Sequence, residues 1–311
     1  MIPALVAHAQ SLTLTGGLRS APLVFTDDPA KLKAALQRLA PIFKQEASGA
    51  HPELASDKTV MLVPGTYARA LNIPETAQRL IETVAQDPKV TRFTVVLNKT
   101  PPELTVEKLK GVTGVLARFT TQTSAHAKRN LNIALATQSI DGTLLSPGET
   151  FSLNDVVGKR TQARGYRTAT VFVDAQKVPG VGGGVSQVTG TLFNAAALAG
   201  LHMEEVNPHS RPVSYLPLGR DATVAYGDKD LKFTNSTGAP VYIGYSFVGR
   251  TLQATLWGML QPGRDVTLTP RVVHRGSGHI DAELYRTIKV NGKVVQKERL
   301  LRHTYRWKPK A

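Results

Sequence analysis

The chain contains no cysteine in 311 residues. That excludes disulfides, thiolate catalysis and cysteine-based metal sites, and leaves no thiols from which to read a redox compartment. Aromatic residues are scarce at 6%, and with no nucleic-acid recognition motif visible, a nucleic-acid partner rests on charge alone. No apolar run approaches the roughly 18 residues of a membrane span. Repeats and low-complexity tracts are absent, and so are a G-x-x-x-x-G-K-[ST] phosphate loop and an H-E-x-x-H zinc motif. Gly180, Gly182 and Gly184 miss the G-x-G-x-x-G pattern because Val185 stands where the third glycine would be. Neither a metal nor any other cofactor is implied.

What is present is a globular composition, 41% hydrophobic and 20% charged, long enough for two domains. Thirty-eight Lys and Arg against 23 Asp and Glu give a net charge of +15, which favours an anionic partner. Residues 1–118 hold 14 basic and 10 acidic side chains (+4), and residues 119–311 hold 24 and 13 (+11). Of these, residues 261–311 carry 12 and 4 (+8), read either as a solvated strand face or as a surface for a polyanion. At the start, Ala7-His8-Ala9 has the A-x-A form of a signal-peptidase site without a basic n-region before it, so residues 1–20 are expected to hold a signal remnant and a leading strand.

Residues 21–118 read as a compact α+β module. After the leading strand at 11–14, short strands are expected at 22–25, 59–63 and 92–97. Helices are expected from Pro29, which suits a first turn, to Phe43, and over 72–84. The next stretch, 119–260, predicts a helix at 130–136, a turn with flanking strand over 139–145, and a further helix over 188–199 stopped by Gly200. Strands dominate beyond: 223–226, 231–234, 241–247, 253–257, 266–269 and a hairpin over 285–300 turning at Asn291-Gly292. Residues 261–311 form a basic β extension. The fold class expected is α+β.

The most informative segment is Val178 to Gln187, which runs through Gly180, Gly182, Gly183 and Gly184 into a helix and puts the hydroxyl of Ser186 at the helix start. Unpaired N–H groups and the positive end of the helix dipole meet there, so an oxyanion or an ionised side chain would be favoured. The plainer reading is that Ser186 caps the helix.

Several ordered blocks carry a resemblance. They are Phe151 to Gly158, Arg160-Thr161, Arg164-Gly165-Tyr166, Val178 to Gln187, Asn207-Pro208-His209-Ser210, Pro212 to Tyr215, and Gly219 to Val224. Together they resemble the VanW family of bacterial cell-envelope proteins, named for a member of vancomycin-resistance gene clusters. More faintly, residues 72–121 look like the peptidoglycan-binding module that often precedes this domain. The resemblance implies an extracytoplasmic protein acting on peptidoglycan, in a VanW-type domain whose helix starts at the glycine turn and packs on a mainly antiparallel sheet.

Some members of the family are L,D-transpeptidase-like, working through an acyl-enzyme on a cysteine in the pattern GGGVCQ, where this chain has Ser186. Cysteine is partly thiolate at neutral pH, whereas serine depends on a general base. Three readings stand: a serine that traps an inactive form, a serine worked by a base, or a branch that has dropped acyl transfer and kept binding as a non-catalytic scaffold. The resemblance makes His209 the base and Asp221 the orienting carboxylate, in triad logic. Gly183, Gly184, Arg160, Arg164 and Arg220 are the substrate-binding positions, the arginines offering forks to stem-peptide carboxylates or else pairing internally. Asn154 and Tyr215 are expected to hold backbone geometry, and His202 to sit at the helix C-terminus. Peptidoglycan stem peptides or another anionic wall polymer are the partners implied; resistance itself is a matter of gene neighbourhood.

Overall fold

The structure is a computed structural model that describes residues 10–25, 28–173 and 176–307. The A-x-A segment at residues 7–9 lies outside them. It is α+β, and the chain divides into two compact units, one within Met1–Ala50 and Val63–Val106, the other within His51–Leu62 and Glu107–Ala311.

In the first unit β1 (Gln10–Gly16) and β2 (Arg19–Phe25) form an antiparallel hairpin, followed by α1 (Pro29–Phe43). Asp28 caps α1 by accepting from the N–H groups of Ala30 and Lys31, and Pro29 opens its first turn, where a missing N–H costs nothing. Strands β3 (His51–Leu54) and β4 (Val60–Val63) pair with each other, and all but Val63 of them falls in the second unit. Then come β5 (Ala68–Leu71), α2 (Ile73–Gln86), β6 (Arg92–Thr94) and β7 (Leu97–Thr100). β6 adds to β1 in parallel, β5 pairs with β7, and Leu12, Leu14, Leu32, Leu36, Leu80 and Phe93 are buried in one core.

The second unit starts its main sheet with β8 (Gly114–Gln122). This strand pairs along its length with a later one, and both lie in the second unit. Next are α3 (Ala127–Ile140), β9 (Thr143–Leu145), β10 (Thr150–Ser152), the short α4 (Leu153–Val157), and a hairpin of β11 (Thr168–Val173) and β12 (Gln176–Val181). Helix α3 extends beyond the expected 130–136 at both ends, so Ser139 and Ile140 are helical and the turn falls at Asp141-Gly142, with Gly142 at φ +86°. α5 (Val185–Leu198) follows, then β13 (His202–Glu205), β14 (Lys232–Thr234), β15 (Val241–Val248), β16 (Thr251–Gly258), β17 (Arg264–Gly276), β18 (His279–Val290) and β19 (Lys293–Arg306).

The main sheet has the order β8-β16-β15-β9, all antiparallel, and β17-β18-β19 forms a second antiparallel sheet. α5 is the hub of the core: Val185 and every residue from Gln187 to Ala197 are buried. A helix that is apolar all round belongs inside a protein, and its few polar groups are hydrogen-bonded there. Thr189, Thr191 and Asn194 each donate to the carbonyl four residues back. At its far end the Leu201 N–H bonds to Ala196 O and the Gly200 N–H to Ala197 O, with Gly200 at φ +78°, the Schellman arrangement expected of that glycine. Two side chains of the C-terminal sheet also reach this end: Arg264 Nη1 donates to Ala199 O and Arg286 Nη1 to Leu201 O. Among the described residues no helix is long and apolar enough to cross a membrane.

Candidate functional site

The glycine turn ends where Gly184 takes a left-handed φ of +110° and becomes the N-cap of α5. Left-handed backbone is open to glycine at no steric cost. The helix therefore begins at Val185, three residues ahead of the expected Val188, and Ser186 lies inside its first turn. Ser186 is not the cap. Its Oγ is hydrogen-bonded to Thr223 Oγ1 at 2.9 Å.

The turn is fixed from behind by Asn132 of α3, which is fully buried. Its Nδ2 donates to Gly183 O and to Arg167 O, both at 2.9 Å, and its Oδ1 accepts from the Arg167 N–H at 2.7 Å. Each such bond contributes about 1 kcal/mol net, and more is lost if a buried partner is left unpaired. At Gly183 a Cβ would lie 2.5 Å from Thr170 O, so a side chain would push the β11–β12 hairpin away from the turn.

His209 and Asp221 do converge. Both are buried, and Asp221 Oδ2 accepts from the His209 backbone N–H and from its ring Nδ1, each at 2.8 Å. Asp221 Oδ1 accepts from the hydroxyl of Tyr305 in β19, which in turn accepts from the Gly219 N–H at 2.7 Å. Burial works against ionisation of Asp221, but these hydrogen bonds from His209 and Tyr305 outweigh it and hold its carboxyl below the usual range. An ionised Asp221 fixes the proton on His209 Nδ1, so the neutral ring carries its lone pair on Nε2. His303 Nε2 donates to the His209 carbonyl at 2.9 Å and steadies the same segment.

Ser186, His209 and Thr223 line one cleft of about 940 Å³ together with Gly182, Gly183 and Gly184. Burial pushes the phenol of Tyr215, also in the lining, well above its ordinary pKa, and its ring meets His209 edge-on at 6.5 Å. Two further aromatics, Tyr226 and Trp307, belong to the same lining.

The three expected arginines part company. Arg160 lines the cleft, with Nη1 on Asn154 Oδ1 at 2.7 Å and its guanidinium 5.9 Å from the Tyr226 ring. Arg164 instead closes the C-terminal end of α4, donating to Val157 O and Lys159 O, and is outside the cleft lining. Arg220 packs over Phe119 at 4.9 Å, donates through Nε to Asn194 Oδ1 and is likewise outside that lining. Asn154 also ties Lys229 O, and His202 sits exposed on β13 near Glu204.

Other contributors carry no short motif. Arg129, in the first turn of α3, lines the cleft and donates through Nη2 to Gln187 Oε1 at 2.8 Å. Gln187 Nε2 is anchored on Thr121 Oγ1 and Gln122 O. Tyr305 and His303 come from the far C-terminus. Among the described residues no group of three His, Asp or Glu is placed to hold a metal ion.

A family model described as "VanW like protein" matches residues 128–257. An uncharacterized protein of Bacillus subtilis (strain 168), YoaR, is 39% identical over 160 residues, which are 51% of this chain and 53% of the relative. The chain thus spans about half the length of the relative it matches. No solved structure matches it. The matched segment contains Arg129, Ser186, His209, Asp221 and Thr223, whereas His303 and Tyr305 lie beyond it. Over residues 128–257, with the glycine turn and the His209–Asp221 pair inside them, the chain is similar to VanW-like proteins.

Proposed function

We propose that the cleft is an acyl-transfer site for peptides of the bacterial cell wall, with Ser186 as nucleophile, His209 as general base and Asp221 as the carboxylate that orients it. The observation that carries this reading is the buried His209–Asp221 hydrogen bond in the cleft that Ser186 also lines. A serine in place of the family's cysteine needs a base, and an imidazole held in one tautomer by a carboxylate is the group that supplies one.

In the proposed step Ser186 Oγ bonds to the carbonyl carbon of a peptide bond while its proton passes to His209 Nε2. The C–N bond then breaks and that proton leaves on the amine, giving an ester on Ser186. A second amine or water cleaves the ester and restores the serine. The positive end of the α5 dipole would favour the oxyanion. Arg160, Gly183 and Gly184 are the binding positions of this reading that line the cleft. An extracytoplasmic location goes with it, as do wall polymers as partners, and the basic strands β17–β19 would add salt-sensitive attraction to them.

A second reading is a peptide-binding protein without turnover. It is favoured by the Ser186–Thr223 bond, because a hydroxyl partner does not activate a hydroxyl. Intact-protein mass spectrometry after incubation with muropeptides separates the two. A covalent acyl adduct that Ser186→Ala abolishes supports the first; binding with no adduct supports the second.

A further inference from the structure

Four cations line the cleft, Arg129, Lys159, Arg160 and Arg211, and neither Asp nor Glu stands among the described residues of that lining. Elsewhere in the unit Arg164, Arg264 and Arg286 donate to backbone carbonyls. Two in the cleft are not: Arg129 Nη1 and Arg211 Nε are buried with no hydrogen-bond partner.

Arg129 is held firmly. Nη2 is committed to Gln187, the guanidinium lies 6.0 Å from the Tyr215 ring, and its Cγ and carbonyl press so closely on Gly184 that a Cβ there would meet them at 2.9 and 3.1 Å. The cation is therefore fixed beside the start of α5, whose own dipole is positive at that end. Two positive elements with no carboxylate in the cleft lining raise each other's energy. Burial also pulls the Arg129 pKa below its ordinary value, the direction expected of a guanidinium without a counter-charge. An incoming anion would relieve all of these at once, and guanidinium groups are suited to carboxylates.

We infer that Arg129, with Arg211 as a second cation, forms a subsite for a free carboxylate of the bound peptide, next to Ser186 at the glycine turn. The inference rests on the cleft being a peptide site, and it assigns the ligand's anionic group to a residue outside the arginines singled out by motif. It makes Arg129 a specificity-determining residue with no part in bond making.

The test is calorimetric binding of two probes, acetyl-alanyl-alanine as the free carboxylate and as the carboxamide, in both D- and L-forms. The full chain is compared with Arg129→Gln, Arg129→Lys and Ser186→Ala, with thermal midpoints as a check on folding. The full chain and Ser186→Ala should bind a carboxylate at least about tenfold more tightly than its carboxamide, Arg129→Gln should lose that preference, and Arg129→Lys should regain part of it. A preference that survives in Arg129→Gln, or a full chain that shows none, overturns the subsite. Preference kept by every form except Arg129→Gln, with no acyl adduct on any, upholds the subsite while removing the acyl-transfer reading.

Discussion

Thr223 Oγ1 lies 2.9 Å from Ser186 Oγ, and Thr223 stands two residues after the Asp221 that holds His209. The two segments are laced together. The Thr223 N–H donates to Asn207 O, and Asp221 accepts from the His209 N–H, so one short stretch positions both the carboxylate and the serine's partner. Replacing Thr223 with Val keeps the shape and removes that hydroxyl. The expected loss is about 1 kcal/mol, read as a lower urea midpoint at unchanged slope.

Asp221→Asn should act through charge and should therefore depend on pH. The folded carboxyl titrates below its ordinary value near 3.9. A group depressed in this way stabilises the fold above its unfolded pKa, and the contribution is lost as pH falls through the folded one. The gap in unfolding free energy between the natural chain and Asp221→Asn should be about 3 kcal/mol at pH 7, where three donors would lose their carboxylate, and should narrow as pH falls below about 4. Urea titrations at pH 7 and pH 3 decide it; a gap that is the same at both would assign Asp221 a packing role instead.

Arg286 ties the C-terminal sheet to the far end of α5. It is buried, pairs with Glu298 at 2.8 Å, and donates to Leu201 O at 2.7 Å, where the helix dipole favours a cation. Arg286→Met should cost about 3 kcal/mol. Arg299, half exposed and 3.0 Å from Glu283, is the contrast: Arg299→Ala should cost less than about 1 kcal/mol. Equal losses in a denaturation series would mean that burial is not what separates these ion pairs.

How much of this was legible before the structure differs from element to element. α1 was readable because Asp28 and Pro29 mark its start locally. The Asn291-Gly292 turn was readable because both residues tolerate the left-handed backbone they adopt, at φ +49° and +77°. The β11–β12 hairpin was not, since Pro179 and Gly180 sit inside β12 and mask its strand pattern; a two-stranded ribbon has free edges that tolerate a proline. Conversely, 223–226 has strand composition but forms no strand: Thr223 bonds to Asn207 and Ser186, and Ala225 makes only an isolated bridge to Lys229.

The site divides in the same way. His209 and Asp221 stand out through ordered blocks of residues. Tyr305 was not, because its bond to Asp221 spans 84 residues and no local spacing encodes such a contact. Arg129 was missed because the helix was expected to begin only at Asn130, which left it in a loop.

The central claim is that Ser186 makes and breaks peptide bonds with His209 as its base. The most direct measurement is mass spectrometry of muropeptides after peptidoglycan is incubated with the chain itself, Ser186→Ala and Ser186→Cys. New or missing peptide bonds with the serine chain, abolished by Ser186→Ala, are the result predicted here. Products from the cysteine form alone would contradict it, showing a site whose machinery is intact but which serine leaves idle.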